Sequence, residues 1–423
     1  MSRRAVVTGL GFITSIGNDR ATVTESLRTL RSGIETIEFL KNPAITVKVA
    51  GTIKEFVTES PSWRDWRYPE RYDFPREALR SIPPHGLYAM CATEQALLDA
   101  GLQRSDLTDG TTGLYCASAG SPSLTHLHVQ QMHATRGERG NPMSVVAAIA
   151  GTLNFNLAAR YGIRGAVSGF VAACASSSHA LGCALDDIRL GRQTRMLIVG
   201  GEDLNAESVL GFAAMRALST NPTAAQASRP FDRERDGFVV SGGATCLILE
   251  ELETARRRGA PIYAELAGWG QAADGYNVAV SHPEGLGLAD AIQRALADAQ
   301  VKPCDIDYVS AHATSTATGD RSEALAIKSV FSPSGSRPTI SSTKGITGHP
   351  LSMAGVMEAA FCSIALRDGF IPGNKNLVVA DEACDGLNLA QETMETAPTV
   401  ILNNTSGFGG SNVCHVLRRF PAE

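Results

Sequence analysis

The sequence has no run of about 18 consecutive apolar residues, the minimum for a membrane-spanning helix, so no span is expected in its 423 residues. A net basic charge is also absent, since 38 Lys and Arg face 43 Asp and Glu for a formal charge of −5. A dedicated nucleic-acid binder needs a basic surface for the phosphates, and that class is set aside. The nine Cys are odd in number, scattered and free of any C-x-x-C spacing. Neither a disulfide framework nor a metal site follows, and a reducing cytoplasm fits. Aromatic residues make up only 6%, so the interior must be closely packed Ala, Val, Leu, Ile and Gly. Lys is scarce, seven against 31 Arg, with none between Lys54 and Lys302.

Gly is plentiful, 41 residues, or about a tenth against an average near 7%. The opening MSRRAVVTGLGFITSIG places two Arg before an apolar stretch, as an export signal does. Gly9, Gly11 and Gly17 interrupt it, so it reads as a β-strand and turn. Further on, short apolar runs alternate with longer Ala- and Leu-rich ones. Strands are expected at Ala5–Thr8, Gly113–Cys116, Met196–Val199, Cys246–Leu249, Tyr263–Leu266, Tyr308–Ser310 and Val400–Asn403. Helices are expected at Tyr88–Ala100, Ser176–Leu190, Gly287–Ala299, Ser322–Val330 and Gly355–Leu366. Such alternation means an α/β fold with a buried sheet.

An internal echo divides the chain. ALLDAGL from Ala96 returns as ALADAQV from Ala295, and VVTGLGFITSIGND more loosely as YAELAGWGQAADGYN from Tyr263. We read two copies of one α/β unit, residues 1–255 and 256–423. Two stretches look like additions. Residues 60–81 hold two of the three Trp with many Arg and Pro, and residues 120–143 hold three His and two Arg. Both are expected to be surface excursions, where binding is often built.

Four segments carry candidate chemistry. Cys174, in SGFVAACASSSHA, lies between a strand-like stretch and a helix. There free N–H groups and the helix dipole favour thiolate; a buried inert Cys is the other reading. His312, in SAHATSTATGD, sits in a turn crowded with hydroxyls, suited to a polar ligand or to a structural His. His349 and Lys344 share STKGITGHPLSMAGVME, where a rare Lys stands among small residues. Asn403–Asn412 is a Gly-rich loop that brings backbone N–H groups close to a ligand oxygen or simply makes a tight turn.

Together, ACASSSHA, RPFDRERDGFVVSGG, HATSTATGD and STKGITGHPLSMAG, with AVVTGLGFITSIGN and SGFGGSN at the two ends, resemble the β-ketoacyl-acyl-carrier-protein synthases of the thiolase-like superfamily, nearly end to end. The resemblance implies a five-layered α-β-α-β-α fold and decarboxylative condensation of an acyl thioester with malonyl-carrier protein. By it, Cys174 would carry the acyl group, with the N–H groups of Cys174 and Phe408 as oxyanion hole. His312 and His349 would stabilise the enolate, and Lys344 paired with Glu358 would orient the centre. Asp320 and Glu323 would support the turn, and Thr314 and Thr316 would hold the pantetheine arm. It also implies no bound cofactor or metal, substrates borne on an acyl carrier protein, and a homodimer or a heterodimer with a chain-length-factor-like subunit. The acidic carrier would meet an Arg-rich face, for which Arg76, Arg80, Arg136 and Arg139 are the candidates.

The chain departs from the family pattern in places. Ser-Gly-Gly after DGFVV, without a Glu, favours a synthase I-like assignment. Ser406 stands where a first Phe is usual, which bears on gating and chain length, and Ala317 stands for a usual Pro. Three other readings compete with this one. TGLGFITSIG imitates a dinucleotide-binding loop, though alone such a turn is weak. A non-catalytic chain-length-factor-like subunit would have lost its nucleophile, which this chain keeps. A true thiolase would need a second Cys near the C-terminal loop, and Cys414 lies beyond it.

Overall fold

A computed structural model describes residues 3–40, 45–60 and 62–421. The first half contributes β1 (Ala5–Ile13), a small hairpin of β2 (Ile34–Thr36) and β3 (Val49–Gly51), then β4 (Thr112–Ala117), β5 (Val167–Phe170), β6 (Arg195–Glu202) and β7 (Gly243–Glu251). The second contributes β8 (Ala264–Ala273), β9 (Tyr308–Ser310), β10 (Thr339–Ser341), β11 (Asn388–Leu389), β12 (Val400–Gly407) and β13 (Ser411–Arg419). Every residue of β1 and of β6 is buried, which is why these strands read as continuous apolar or small runs rather than alternating ones.

The echo in the sequence is an echo in topology. The strand order β5-β4-β6-β7-β1 of the first half is matched by β10-β9-β12-β13-β8 in the second, with β11 added at the far edge. In each copy the first two pairings are parallel and the next two antiparallel. The halves join where Ala5–Val7 runs antiparallel to Ala264–Leu266. Helices Ser176–Arg189 and Ala354–Asp368 touch each other and strands of both halves. Helix Pro84–Asp99 covers the outer face of the first half and Leu286–Asp298 that of the second. The result is the thiolase-like five-layered arrangement.

Close packing explains the glycines. Gly9 and Gly11 lie inside β1, where a Cβ would collide with the backbone of helix Pro84–Asp99 at Ala96 and Ala92. Gly268 and Gly270 in β8 face Ala299 and Ala295 in the same way. One hydrogen bond is repeated as well, Leu10 N to Asp99 Oδ2 and Trp269 N to Asp298 Oδ2, both 2.9 Å. The TGLG stretch is therefore a strand pressed against a helix, and the dinucleotide-loop reading falls.

Residues 60–81 are also not the surface excursion expected, leaving aside Pro61, which lies outside the described residues. Trp66, Tyr72, Phe74 and Leu79 are buried in one cluster with Leu87 and Cys91 of helix Pro84–Asp99. Aromatic rings cover that helix while the intervening Arg point outward, so the segment is an outer lining of the core. Residues 120–143 do lie at the surface, with helix Pro122–Ala134 containing no buried residue. Among the described residues no helix is long and apolar enough to cross a membrane.

Gly11→Ala should lower the unfolding free energy by about 1–3 kcal/mol, because the added methyl must displace helix backbone. Urea denaturation checks this, and an unchanged midpoint would contradict the packing described.

Candidate active site

The nucleophile candidate sits on a strained turn. After β5 the chain reverses through Ala173, whose φ is +49°, a region unfavourable to any residue with a Cβ. Ser176 holds the turn from both sides, accepting from Ala172 N at 2.8 Å and donating to Ala173 O at 2.6 Å. The next hydroxyls face the central layer, where Ser177 accepts from Val356 N at 3.1 Å and Ser178 donates to Thr405 at 2.8 Å. The Ser run is thus a set of braces, and it leaves Cys174 at the floor of a cavity.

His349 arrives from the second half. Its N–H donates to Val239 O at 2.6 Å and its carbonyl accepts from Ser241 N at 3.0 Å. Its Nε2 lies 3.0 Å from Cys174 Sγ. His312 follows β9, and its ring stands edge-on to His349 with centroids 5.2 Å apart. Glu323 fixes that turn by accepting from His312 N at 2.9 Å and Ala313 N at 2.6 Å. Asp320 accepts from Ser315 N and Thr316 N at 3.1 and 3.2 Å. Thr314 and Thr316 meet through their hydroxyls at 3.2 Å and line the cavity. Lys344 is wholly buried and paired with Glu358.

Backbone completes the floor. Gly407 is pressed against the Cys174 turn so closely that a Cβ there would lie 3.2 Å from Cys174 N and 2.8 Å from Ala172 O. A glycine at that position brings Phe408 and the Cys174 amide to the same end of the cavity. The cavity measures about 470 Å³ and is lined by Cys174, His312, His349, Thr314, Thr316 and Phe408 among others. Ser406 lines it too and donates to Asn412 Oδ1 at 2.7 Å.

Electrostatics correct one expectation. Burial pushes the Cys174 thiol up to about 12, although Lys344 draws it down. The helix begins only at Ser176, and its dipole does not offset the loss of water around a charged sulfur. Burial also holds both imidazoles well below their ordinary value, and the Lys344 charge pushes them the same way. At neutral pH the centre is a thiol beside two uncharged imidazoles, not an ion pair.

The structure thus brings together Cys174, His312, His349, Lys344, Glu358, Glu323, Asp320, Thr314, Thr316 and Phe408. Arg76, Arg80, Arg136 and Arg139 are all exposed but none lines the cavity. The Arg80 carbonyl accepts from Asn141 Nδ2 at 3.5 Å, so the segments bearing these Arg abut. Residues without a sequence signal also form the site. Phe212 meets Phe238 edge-on and Phe408 at a tilt, with centroids 5.3 and 6.1 Å apart, and Arg216 stands in the wall, while Phe238, which belongs to the DGFVV motif, lies 5.4 Å from the His349 ring. Phe212 belongs to helix Ala206–Ala214, whose composition marks it only as apolar.

Alkylation of Cys174 by iodoacetamide should quicken by roughly tenfold per pH unit from 7 to 10, since only thiolate reacts. Lys344→Met should slow it further by raising the thiol again. A plateau below pH 8 would contradict the buried-thiol picture.

Comparisons agree with this geometry. The family description "Beta-ketoacyl synthase, N-terminal domain" matches residues 2–255, and "Beta-ketoacyl synthase, C-terminal domain" matches 263–378. The chain is 38% identical over 425 residues to the 3-oxoacyl-[acyl-carrier-protein] synthase 1 of Haemophilus influenzae, covering 99% of each. A solved β-ketoacyl synthase from Burkholderia phymatum superposes with a TM-score of 0.90 at 31% identity, over 99% of this chain and 100% of that one. The ishigamide ketosynthase/chain length factor superposes with a TM-score of 0.88 at 29% identity over all of both. With both domains matched in order and the whole chain superposable on solved relatives, this protein belongs to the β-ketoacyl synthase family.

Proposed function

We propose that the chain is a β-ketoacyl-acyl-carrier-protein synthase whose first half, residues 1–255, supplies the nucleophile and whose second half, 256–423, supplies the decarboxylation machinery. The observation that carries this reading is the approach of His349 Nε2 to Cys174 Sγ at 3.0 Å, with His312 beside it, at the floor of one cavity.

In the first step Cys174 Sγ attacks the thioester carbonyl of an acyl carrier protein. A new C–S bond forms, the pantetheine sulfur leaves, and the thiol proton passes to it. The N–H groups of Cys174 and Phe408 stabilise the oxyanion. The exchange of one thioester for another is nearly balanced, so a thiol that ionises only transiently is adequate.

Malonyl-carrier protein then binds along Thr314 and Thr316. Its carboxylate carbon parts from the α-carbon as carbon dioxide, and the electron pair enters an enolate. Uncharged His312 and His349 each donate a ring N–H to the enolate oxygen. Burial, helped by the Lys344 charge, keeps them uncharged, and that charge favours the growing anion. The α-carbon attacks acyl-Cys174, the C–S bond breaks with the electron pair on sulfur, and a 3-oxoacyl-carrier protein is released while the thiolate takes a proton from solvent water to restore the thiol.

Two assembly statements belong to this reading. The exposed Arg76, Arg80, Arg136 and Arg139 are the docking face for an acidic carrier. A second copy pairs along β5, the terminal strand of the first half, where Val167 and Val171 are exposed with Phe155 nearby in sequence on helix Thr152–Tyr161. A bare apolar edge strand is otherwise an aggregation site, and pairing about a two-fold axis covers it. The nine unpaired Cys support a cytoplasmic location.

Intact-mass analysis after adding acyl carrier proteins of varied chain length should show one acyl adduct, absent in Cys174→Ala. His312→Ala and His349→Ala should keep the adduct and lose malonyl decarboxylation by roughly 100-fold or more. Normal condensation by Cys174→Ala would overturn the reading. Light scattering should give twice the 44.6 kDa chain mass, shifted toward the monomer by Val171→Glu; a wild-type monomer at every concentration would remove the dimer.

A further inference from the structure

Below the active site lies a buried acidic cluster that the mechanism above does not use. Glu202 ends β6 and is almost completely inaccessible. Its Oε1 accepts from Ala119 N at 3.2 Å and from Ser352 N at 3.2 Å, and it also takes the Ser352 hydroxyl proton in a close contact. Asp203 beside it accepts from His85 N at 3.1 Å and meets His85 Nδ1 at 2.6 Å. His85 Nε2 in turn lies 2.9 Å from Ser118 Oγ, which accepts from Gly120 N at 2.9 Å. Ser118, His85 and Asp203 are arranged like a nucleophile triad, yet all are buried and none lines the cavity. Their output is mechanical, since Glu202 grips the 118–120 loop directly and Asp203 does so through His85.

What singles out Glu202 is Ser352, three residues beyond His349. Between them Leu351 has φ +49°, a left-handed conformation that a branched, bulky residue adopts only when its surroundings impose it. The peptide groups of His349 itself are held by Val239 and Ser241. On the downstream side the grip comes from Glu202, with Gly200 packed so tightly on Met353 that a Cβ would lie 2.9 Å from its Cα. Burial pushes the Glu202 carboxyl up to about 7, while the Ser352 hydroxyl and His85 favour its charged form. Burial opposes the His85 charge as well, but Asp203 prevails and holds the imidazole above its ordinary value.

We propose that Glu202 is a positioning residue for His349: by binding both donors of Ser352 it fixes the left-handed turn at Leu351 and so the placement of the imidazole over Cys174. This rests on the synthase reading, in which His349 serves decarboxylation and Cys174 alone forms the acyl adduct. The two reactions therefore separate a positioning role from a merely structural one.

The test compares E202A, E202Q and S352A with wild type in two assays, acyl-adduct formation by intact mass and decarboxylation of malonyl-carrier protein. E202A should form the adduct within about twofold of wild type and lose decarboxylation by roughly 100-fold, the order expected for a misplacement near 1 Å. E202Q keeps an acceptor for Ser352 and should recover most of that loss. S352A should lose decarboxylation several-fold with the adduct kept, and decides the matter alone if E202A does not fold. Wild-type decarboxylation in E202A or S352A, or an equal loss of both reactions, overturns the proposal. Failure of wild type itself to form any adduct would instead sink the synthase reading.

Discussion

The site depends on how closely two helices cross in the middle layer. Gly355, the second residue of helix Ala354–Asp368, sits so tightly on Ser178 of helix Ser176–Arg189 that a Cβ would overlap the Ser178 hydroxyl. Each helix is preceded by a tight turn carrying one reactive side chain, Cys174 before the first and His349 before the second. Bringing the helix starts together is what places sulfur and imidazole within hydrogen-bond range. The braces around the crossing serve the same end, since Ser177 holds Val356 N and Ser178 holds Thr405. A larger residue at 355 would part the helices, and with them the two halves of the chemistry.

Beside that crossing a buried ion pair stands behind the reacting atoms. The Lys344–Glu358 pair is buried on both sides, where removing either partner leaves an uncompensated charge. Burial pushes Glu358 up to about 7 against the pull of Lys344. The pair thus leaves a positive bias near the reacting atoms without offering an acid strong enough to protonate the imidazoles. That bias resolves an apparent conflict in the site. A neutral thiol and neutral imidazoles, each with one ring N–H to donate, suit a condensation in which negative charge is created and then consumed.

Much of this architecture is legible in the amino-acid sequence. The expected strand Tyr308–Ser310 occurs with the same limits and helix Ser176–Leu190 ends one residue earlier, because buried runs with abrupt small-residue boundaries leave little choice of register. The duplication shows as a faint repeat of Gly and Asp, and those residues prove to be the packing glycines and the Asp99 and Asp298 acceptors. What is illegible depends on long-range packing. The aromatics of residues 60–81 look external because Arg and Pro separate them, yet they line a helix that follows in sequence. The thiol's ionisation cannot be read from its place before a helix, because burial, set by Lys344, His349 and the Gly407 loop from the other half, outweighs the local dipole. Phe212 and Glu202 carry no motif at all; only the fold makes them neighbours of the site.

The duplication also explains the asymmetry of the chemistry. In both copies the chain leaves its second strand in a loop that a buried carboxylate pins by its backbone N–H groups. In the second half Glu323 takes His312 N and Ala313 N; in the first, Glu202 takes Ala119 N. Each half therefore carries an anchored loop at this place, held in the second by a helix residue and in the first by the end of β6. In the second copy that loop bears His312 and opens to the cavity. In the first it bears Ser118, turned inward to His85, and its anchoring acid reaches across to Ser352 in the other half. The first copy thus supplies, through Glu202, the support on which the second copy's His349 rests. One nucleophile and two imidazoles on a two-fold frame follow from that division of labour.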